Sequence, residues 1–181
     1  MIREPLGLES GVVYLRPFDE AWAELYRAEI DRIEPILSGN GVRLEFHHTG
    51  STSISAMPAK PIIDILAGLS DAGNRQKAID ALQLAGYVHR GEQGIEGRDF
   101  FRRGDPRKYH LHLTDIGSAF WNDHLAFRDF LRADPETAAA YALLKLELAA
   151  RYPRDRPSYI EGKTSFVESV LERARREAEE G

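Results

Sequence analysis

The stretch that decides the fold is HHTGSTSISAMPAKPIIDIL, residues 47–66. It places a Gly-Ser-Thr turn ahead of an apolar segment that carries a lone carboxylate, Asp64. The segment PIIDILAGL, 61–69, is short and rich in β-branched residues, which predicts a buried strand. Alternate residues of a strand share a face, so Ile62, Asp64 and Leu66 point one way and Ile63, Ile65 and Ala67 the other. An unpaired carboxylate in a dry interior costs several kcal/mol or takes up a proton. Asp64 therefore needs a partner: Lys60, an imidazole, a backbone donor or a metal ion. The residues alone leave two readings open, a structural hydrogen bond or ion pair and a functional site.

Upstream, VRLEFHH, 42–48, predicts another strand, and GSTSISAMPAK, 50–60, a turn holding at most one turn of helix. Gly50, Ser51 and Thr52 after a strand offer outward N–H groups and two hydroxyls, which suit a phosphate. A plain capping turn has the same sequence. A Walker loop is excluded, because no Gly-Lys-Ser/Thr follows a four-residue spacer.

Downstream, KYHLHLTD, 108–115, sets His110 and His112 one residue apart on a predicted strand, so both rings share a face. That spacing supplies two nitrogens to one divalent ion or one anion. It equally fits two polar residues on a wet strand face. The third His of a metallo-β-lactamase motif is missing. Arg98, Arg102, Arg103, Arg107 and Lys108 lie nearby, but alternation lets only some of them face a common pocket. His47 and His48 point to opposite faces, so at most one joins a shared site. Trp22, Trp121, Phe127 and Phe130 have helical spacing and read as core. The glycines of GEQGIEG, 91–97, lie between strands, not at the strand-to-helix turn of a dinucleotide-binding motif.

Around these motifs, VVYLR at 12–16 predicts a short strand, followed by a helix opened by Pro17 and Asp19. Trp22, Leu25, Tyr26, Ile30, Ile33 and Leu37 form its buried face, and SGNG at 38–41 ends it. Ser70 and Asp71 are cap candidates for a helix to Leu84. Residues 87–90, 98–103 and 109–114 read as strands. Asp134-Pro135-Glu136 is a strong helix start, and Ser158 with Glu161 has capping-box spacing. Three helices are expected after Ser118. The class is α+β, with a mixed sheet of four to six strands, sheet-rich over 11–115 and helical over 118–178.

The chain has 181 residues, 43% of them hydrophobic, which favours one domain over 1–181. There is no cysteine, so disulfides, thiolate metal sites and a cysteine nucleophile are excluded. The start, MIREPLGLES, lacks the apolar core of a signal peptide, and no apolar run approaches the roughly 20 residues of a membrane helix. A cytoplasmic protein is expected. Lys and Arg number 24 against 29 Asp and Glu, a net charge of −5. Extended nucleic-acid binding is therefore not expected, while a local basic patch for a small anion is permitted.

The same motifs carry a resemblance. HHTGSTSISAMPAKPIIDIL resembles the His-Val-Gly-Ser-Thr-Ala-Val-Pro-Gly-Leu-Ala-Ala-Lys-Pro-Ile-Ile-Asp-Ile motif of the GrpB family, nucleotidyltransferase-like proteins also related to a domain fused to dephospho-CoA kinase. Phe-Phe-Arg at 100–102, HLHLTD at 110–115, WNDHLAFRDFLRADPE at 121–136, YALLKLELA at 141–149 and YIEGKTSFVESVL at 159–171 agree in the same order. The resemblance implies the polymerase-β-like fold, with Gly50, Ser51 and Thr52 at the nucleotide phosphates. It makes Asp64 the first metal carboxylate, with His112, joined by His110, near the place of the third. Lys60 would stabilise developing charge, giving Asp64 and Lys60 as the catalytic pair. The second carboxylate of that family of folds falls at Leu66, which cannot bind metal. One Asp with imidazoles suits manganese, nickel or zinc better than magnesium. The expected partner is a nucleotide or other phosphorylated small molecule, with nucleotidyl transfer as the activity and silent ligand binding as the alternative. A third reading is a scaffold whose helical half binds a protein.

Overall fold

A computed structural model describes residues 6–180. Met1–Pro5 and Gly181 lie outside the described residues, and with them part of the stretch on which the N-terminal expectation rests. Five strands form one mixed sheet: β1 Glu45–Thr49, β2 Ile63–Leu69, β3 Val88–His89, β4 Asp99–Arg103 and β5 Tyr109–Asp115, in the order β1-β2-β5-β4-β3. β2 and β5 run parallel, and the other neighbours are antiparallel. The helices among the described residues are α1 Ala21–Gly39, α2 Arg75–Leu84, α3 Ala119–Ala133, α4 Pro135–Arg151, α5 Arg156–Glu161 and α6 Thr164–Glu180. This is the expected α+β class, with a strand count inside the expected range.

Strand alternation divides the sheet into two faces with different tasks. Ile63, Ile65, Ala67 and Leu69 join Tyr109, Leu111, Leu113 and Phe101 in the main core, under Trp22, Ile33 and Leu37 of α1 and Ala78 and Leu82 of α2. The opposite face sets Asp64, Leu66 and Gly68 beside His110, His112 and Thr114. The C-terminal helices cover this second face. Trp121 of α3 seats its indole on Gly68, where an added Cβ would come 2.5 Å from the ring.

One member of the buried face of α1 escapes the apolar pattern. Glu29 is 2% exposed and accepts hydrogen bonds from Arg32, from the Tyr87 hydroxyl at 2.8 Å and from Arg103 Nε at 2.9 Å. Burial pushes its carboxyl up, but the bonds from Arg32, Arg103 and Tyr87 outweigh that and hold it below the usual range. Arg103, one of the basic residues near the histidine strand, is thus spent tying α1 to the sheet.

Several local expectations are corrected. Val12–Arg16 forms no strand; Arg16 alone bridges to Ala59 in the antiparallel sense. Pro58 and Pro61 flank Ala59 and Pro17 follows Arg16, so the N–H groups that would extend a ladder are missing. Val13 packs instead with Leu148 and Tyr159. The segment after Ser70 first makes a 3-10 turn, Ala72–Asn74, before α2 begins. Four helices, not three, follow Ser118. Ser158 caps nothing: it lies inside α5, and the upstream carboxylate of Asp155 accepts from its N–H at 3.1 Å. Pro157 fixes the first turn of that short helix. The Asp134 cap stands, accepting from the N–H groups of Glu136 and Thr137.

Candidate functional site

Gly50 ends β1 with φ +67°, a left-handed conformation that favours glycine. The 3-10 turn Ser51–Ser53 follows at once. A Cβ at Gly50 would lie 2.6 Å from Asp64 Oδ2, so only glycine lets this turn close over the β2 carboxylate. Asp64 itself faces a cavity of about 200 Å³ and is 30% exposed at its side chain. Its Oδ1 lies 3.2 Å from His110 Nδ1 and 4.0 Å from His112 Nε2. Burial raises the carboxyl pKa, but the His110 hydrogen bond and the pull of His110, His112 and His48 bring it below the ordinary value. The structure thus brings the turn, Asp64 and the histidine strand into one place.

Not every candidate joins it. Leu66 is fully buried, so the second-carboxylate position is sealed in packing. His112 is ringed by Phe100, Phe120 and His124 and does not line the cavity. Burial pushes its pKa down to about 3, against the pull of Asp64, so it is neutral at pH 7. Among the described residues, His110 Nε2 and His112 Nδ1 are buried without hydrogen-bond partners. No group of three or more His, Asp or Glu among the described residues is arranged to hold a metal ion by itself. His48 turns to the α1 side, stacks on Tyr26 and bonds Thr52 Oγ1 at 3.0 Å. His47 meets Glu45 and Trp121 on the other face. Arg107 donates to the Leu8 and Glu9 carbonyls, and Arg98 to those of Glu92 and Gln93.

The cations of the cavity come from elsewhere. Lys60 is joined by Lys145 of α4, Arg156 of α5 and Lys163 just before α6, and Asp64 is the carboxylate among the described lining residues. Lys145 is 1% exposed. Its Nζ bonds Ser51 Oγ at 2.8 Å and the Pro58 carbonyl. Burial lowers its pKa to about 7, helped by the charges of Lys163 and Lys60. Lys60 and Lys163 lie 4.4 and 4.6 Å from the centre of the Tyr159 ring. Burial brings both down to about 8, with Arg156 adding repulsion in each case. The signal for Lys145 is present in the sequence: Tyr141, Lys145 and Leu148 share one buried helical face, and a lysine in an apolar stripe needs a reason. Arg156 and Lys163 carry no such signal.

A single compact site therefore couples a glycine-closed turn, one acid and four converging cations among the described residues. The fold is similar to that of solved nucleotidyltransferase structures. Cid1 poly(U) polymerase with MgGTP bound superimposes with a TM-score of 0.53 over 75% of this chain and 44% of that one, at 12% identity, a likeness of fold alone. Relatives are nearer in sequence. The UPF0157 protein YqkA of Bacillus subtilis is 35% identical over 97% of this chain, which spans about half (53%) of that protein's length. The glutamate-rich protein GrpB of Alkalihalophilus pseudofirmus is 36% identical, covering 92% of this chain and 98% of that one. A dephospho-CoA kinase of Mycolicibacterium paratuberculosis is 23% identical over 46% of its length. The crystal structure of conserved protein GrpB from Enterococcus faecalis matches with a TM-score of 0.81 and 30% identity, over 91% of this chain and 99% of that one. The family model described as GrpB protein spans residues 12–173, from the segment beside Tyr159 to the body of α6, and by that match the chain belongs to the GrpB family.

Proposed function

We propose that the cavity binds the phosphate chain of a nucleotide or another phosphorylated small molecule. The observation that carries this reading is the charge around it: Lys60, Lys145, Arg156 and Lys163 face one carboxylate, Asp64, with the Ser51 and Thr52 hydroxyls between them. Like charges crowded at buried positions repel one another, and an anion relieves that repulsion. A nucleotide fits as ligand because Cid1, on the same fold, is described with MgGTP bound. A divalent ion enters with the ligand. From the chain, Asp64 and His110 face the cavity with one oxygen and one nitrogen donor, a pair suited to manganese, nickel or zinc, and phosphate oxygens supply the further ligands.

Calorimetric titration with ATP, GTP and inorganic triphosphate, with and without Mn²⁺, tests this reading. Lys60→Met and Lys163→Met each weaken binding by roughly tenfold to a hundredfold, the range of one charge-assisted hydrogen bond. Absence of heat and of any thermal stabilisation with all three ligands removes it. Nucleotidyl transfer is a separate step. The sealed Leu66 favours silent binding, because two-metal transfer needs carboxylates that clamp both ions. Metal-dependent turnover that is lost in folded Asp64→Asn supports the enzyme; binding without metal dependence or turnover supports the silent protein.

A further inference from the structure

We propose that Ser51 and Lys145 form a nucleophile–base dyad, in which Lys145 removes the Ser51 proton and Ser51 attacks phosphorus in the bound ligand. The inference rests on the anion-site reading and adds a covalent step to it. Three features of the geometry carry it. The Lys145 nitrogen is 2.8 Å from Ser51 Oγ, inside the reach required of a nucleophile and its base. A third group orients the base, since Lys145 also donates to the Pro58 carbonyl. A neutral amine has two N–H bonds and one lone pair, so the Pro58 bond leaves the lone pair free to accept the Ser51 hydroxyl proton. Finally, Lys145 is 1% exposed, while Ser51 and Lys145 both line the cavity where the ligand is placed.

The surroundings suit the chemistry. Burial and the neighbouring Lys60 and Lys163 bring Lys145 to a pKa of about 7, where base and conjugate acid coexist. The other groups facing this space are Asp64, His110, Arg156, Tyr159 and, from α4, Tyr141. Lys60, Lys163 and Arg156 share the charge of a bound phosphate, which keeps that charge from reprotonating Lys145 alone. In the step, the Ser51 Oγ–P bond forms, the bond from phosphorus to its leaving group breaks, and the leaving group departs with the electron pair. The Ser51 proton passes to Lys145, which then carries it as an ammonium. A phosphate ester on Ser51 results.

A fluorophosphonate ester probes the dyad directly, since Oγ–P forms as P–F breaks and fluoride leaves. Peptide mass spectrometry of the full chain should find the adduct on Ser51, with a labelling rate that rises with pH through about 7. Lys145→Met slows labelling by roughly 10²–10⁴-fold, the usual worth of a general base. Ser51→Ala abolishes it in a chain that stays folded. An unmodified Ser51 peptide, or a rate in the wild type that does not change with pH, overturns the dyad even where Lys145→Met fails to fold. Inorganic triphosphate separates the two readings. Protection of Ser51 by triphosphate supports both. Labelling without triphosphate binding leaves the dyad standing and removes the anion site, and triphosphate binding without labelling does the reverse.

Discussion

Gly50 and Asp64 meet more closely than any other side chain would allow. Gly50→Ala places a methyl group 2.6 Å from Asp64 Oδ2 and also forces a left-handed φ on a residue that resists it. The expected cost is about 1–3 kcal/mol, read as a lowered denaturation midpoint, together with loss of triphosphate binding as the turn moves off β2. Lys145 makes a prediction about pH. Its folded pKa of about 7 lies below the ordinary 10.5, so between those values the unfolded chain binds more protons than the folded one. Stability therefore rises with pH across that window. Lys60 and Lys163, near 8 in the folded chain, act in the same direction at its upper end. Urea midpoints at pH 7 and pH 9 check this, and the rise shrinks in Lys145→Met. Anion binding works oppositely at Lys60 and Lys163: it favours their protonated forms, so affinity falls as pH rises through about 8 and protons are taken up on binding. Calorimetry in buffers of different ionisation enthalpy measures that uptake.

At the scale of elements, the way α3 seats on the sheet is set by a missing side chain. Gly68→Ala drives a methyl into the buried Trp121 ring, a group with little room to yield. It should cost about 1–3 kcal/mol by overpacking and shift the Trp121 fluorescence. On the other face, Glu29→Ala leaves the buried Tyr87 hydroxyl unpaired and frees Arg103, and a loss of about 1–3 kcal/mol is expected with triphosphate affinity retained, since Glu29 lies across the sheet from the cavity. Much of this level was legible in the sequence. The strand around Asp64, the paired histidines and the Asp134 helix start followed from period, spacing and cap chemistry, and their local physics was not overridden. Residues 12–16 misled because β-branched residues report a buried extended chain but not whether a neighbour has N–H groups to offer. The Ser158 spacing misled because a stronger cap, Asp155, stands upstream of it. Glu29 was missed for a different reason: its partners Tyr87 and Arg103 are far away in sequence, and period alone cannot announce them.

Across the whole molecule, charge is distributed against its average. The chain carries −5 overall, yet four cations gather at one cavity among the described residues. Attraction of this kind is short in range, screened over about 10 Å at 0.1 M salt. Triphosphate affinity should therefore weaken as salt is raised, while duplex DNA, which needs a long basic track, should bind no better than triphosphate alone; salt titrations of both check this. The site was half legible. Its turn and acid lie within one motif and could be found together, whereas three of its cations lie at 145, 156 and 163, and only folding brings them to the turn. That division has a mechanical result. Sheet and C-terminal helices each supply one wall of a cage whose cations repel one another, so a bound polyanion acts as a rivet between them. Slower amide exchange at the α5–α6 junction on adding triphosphate would be the mark of such fastening.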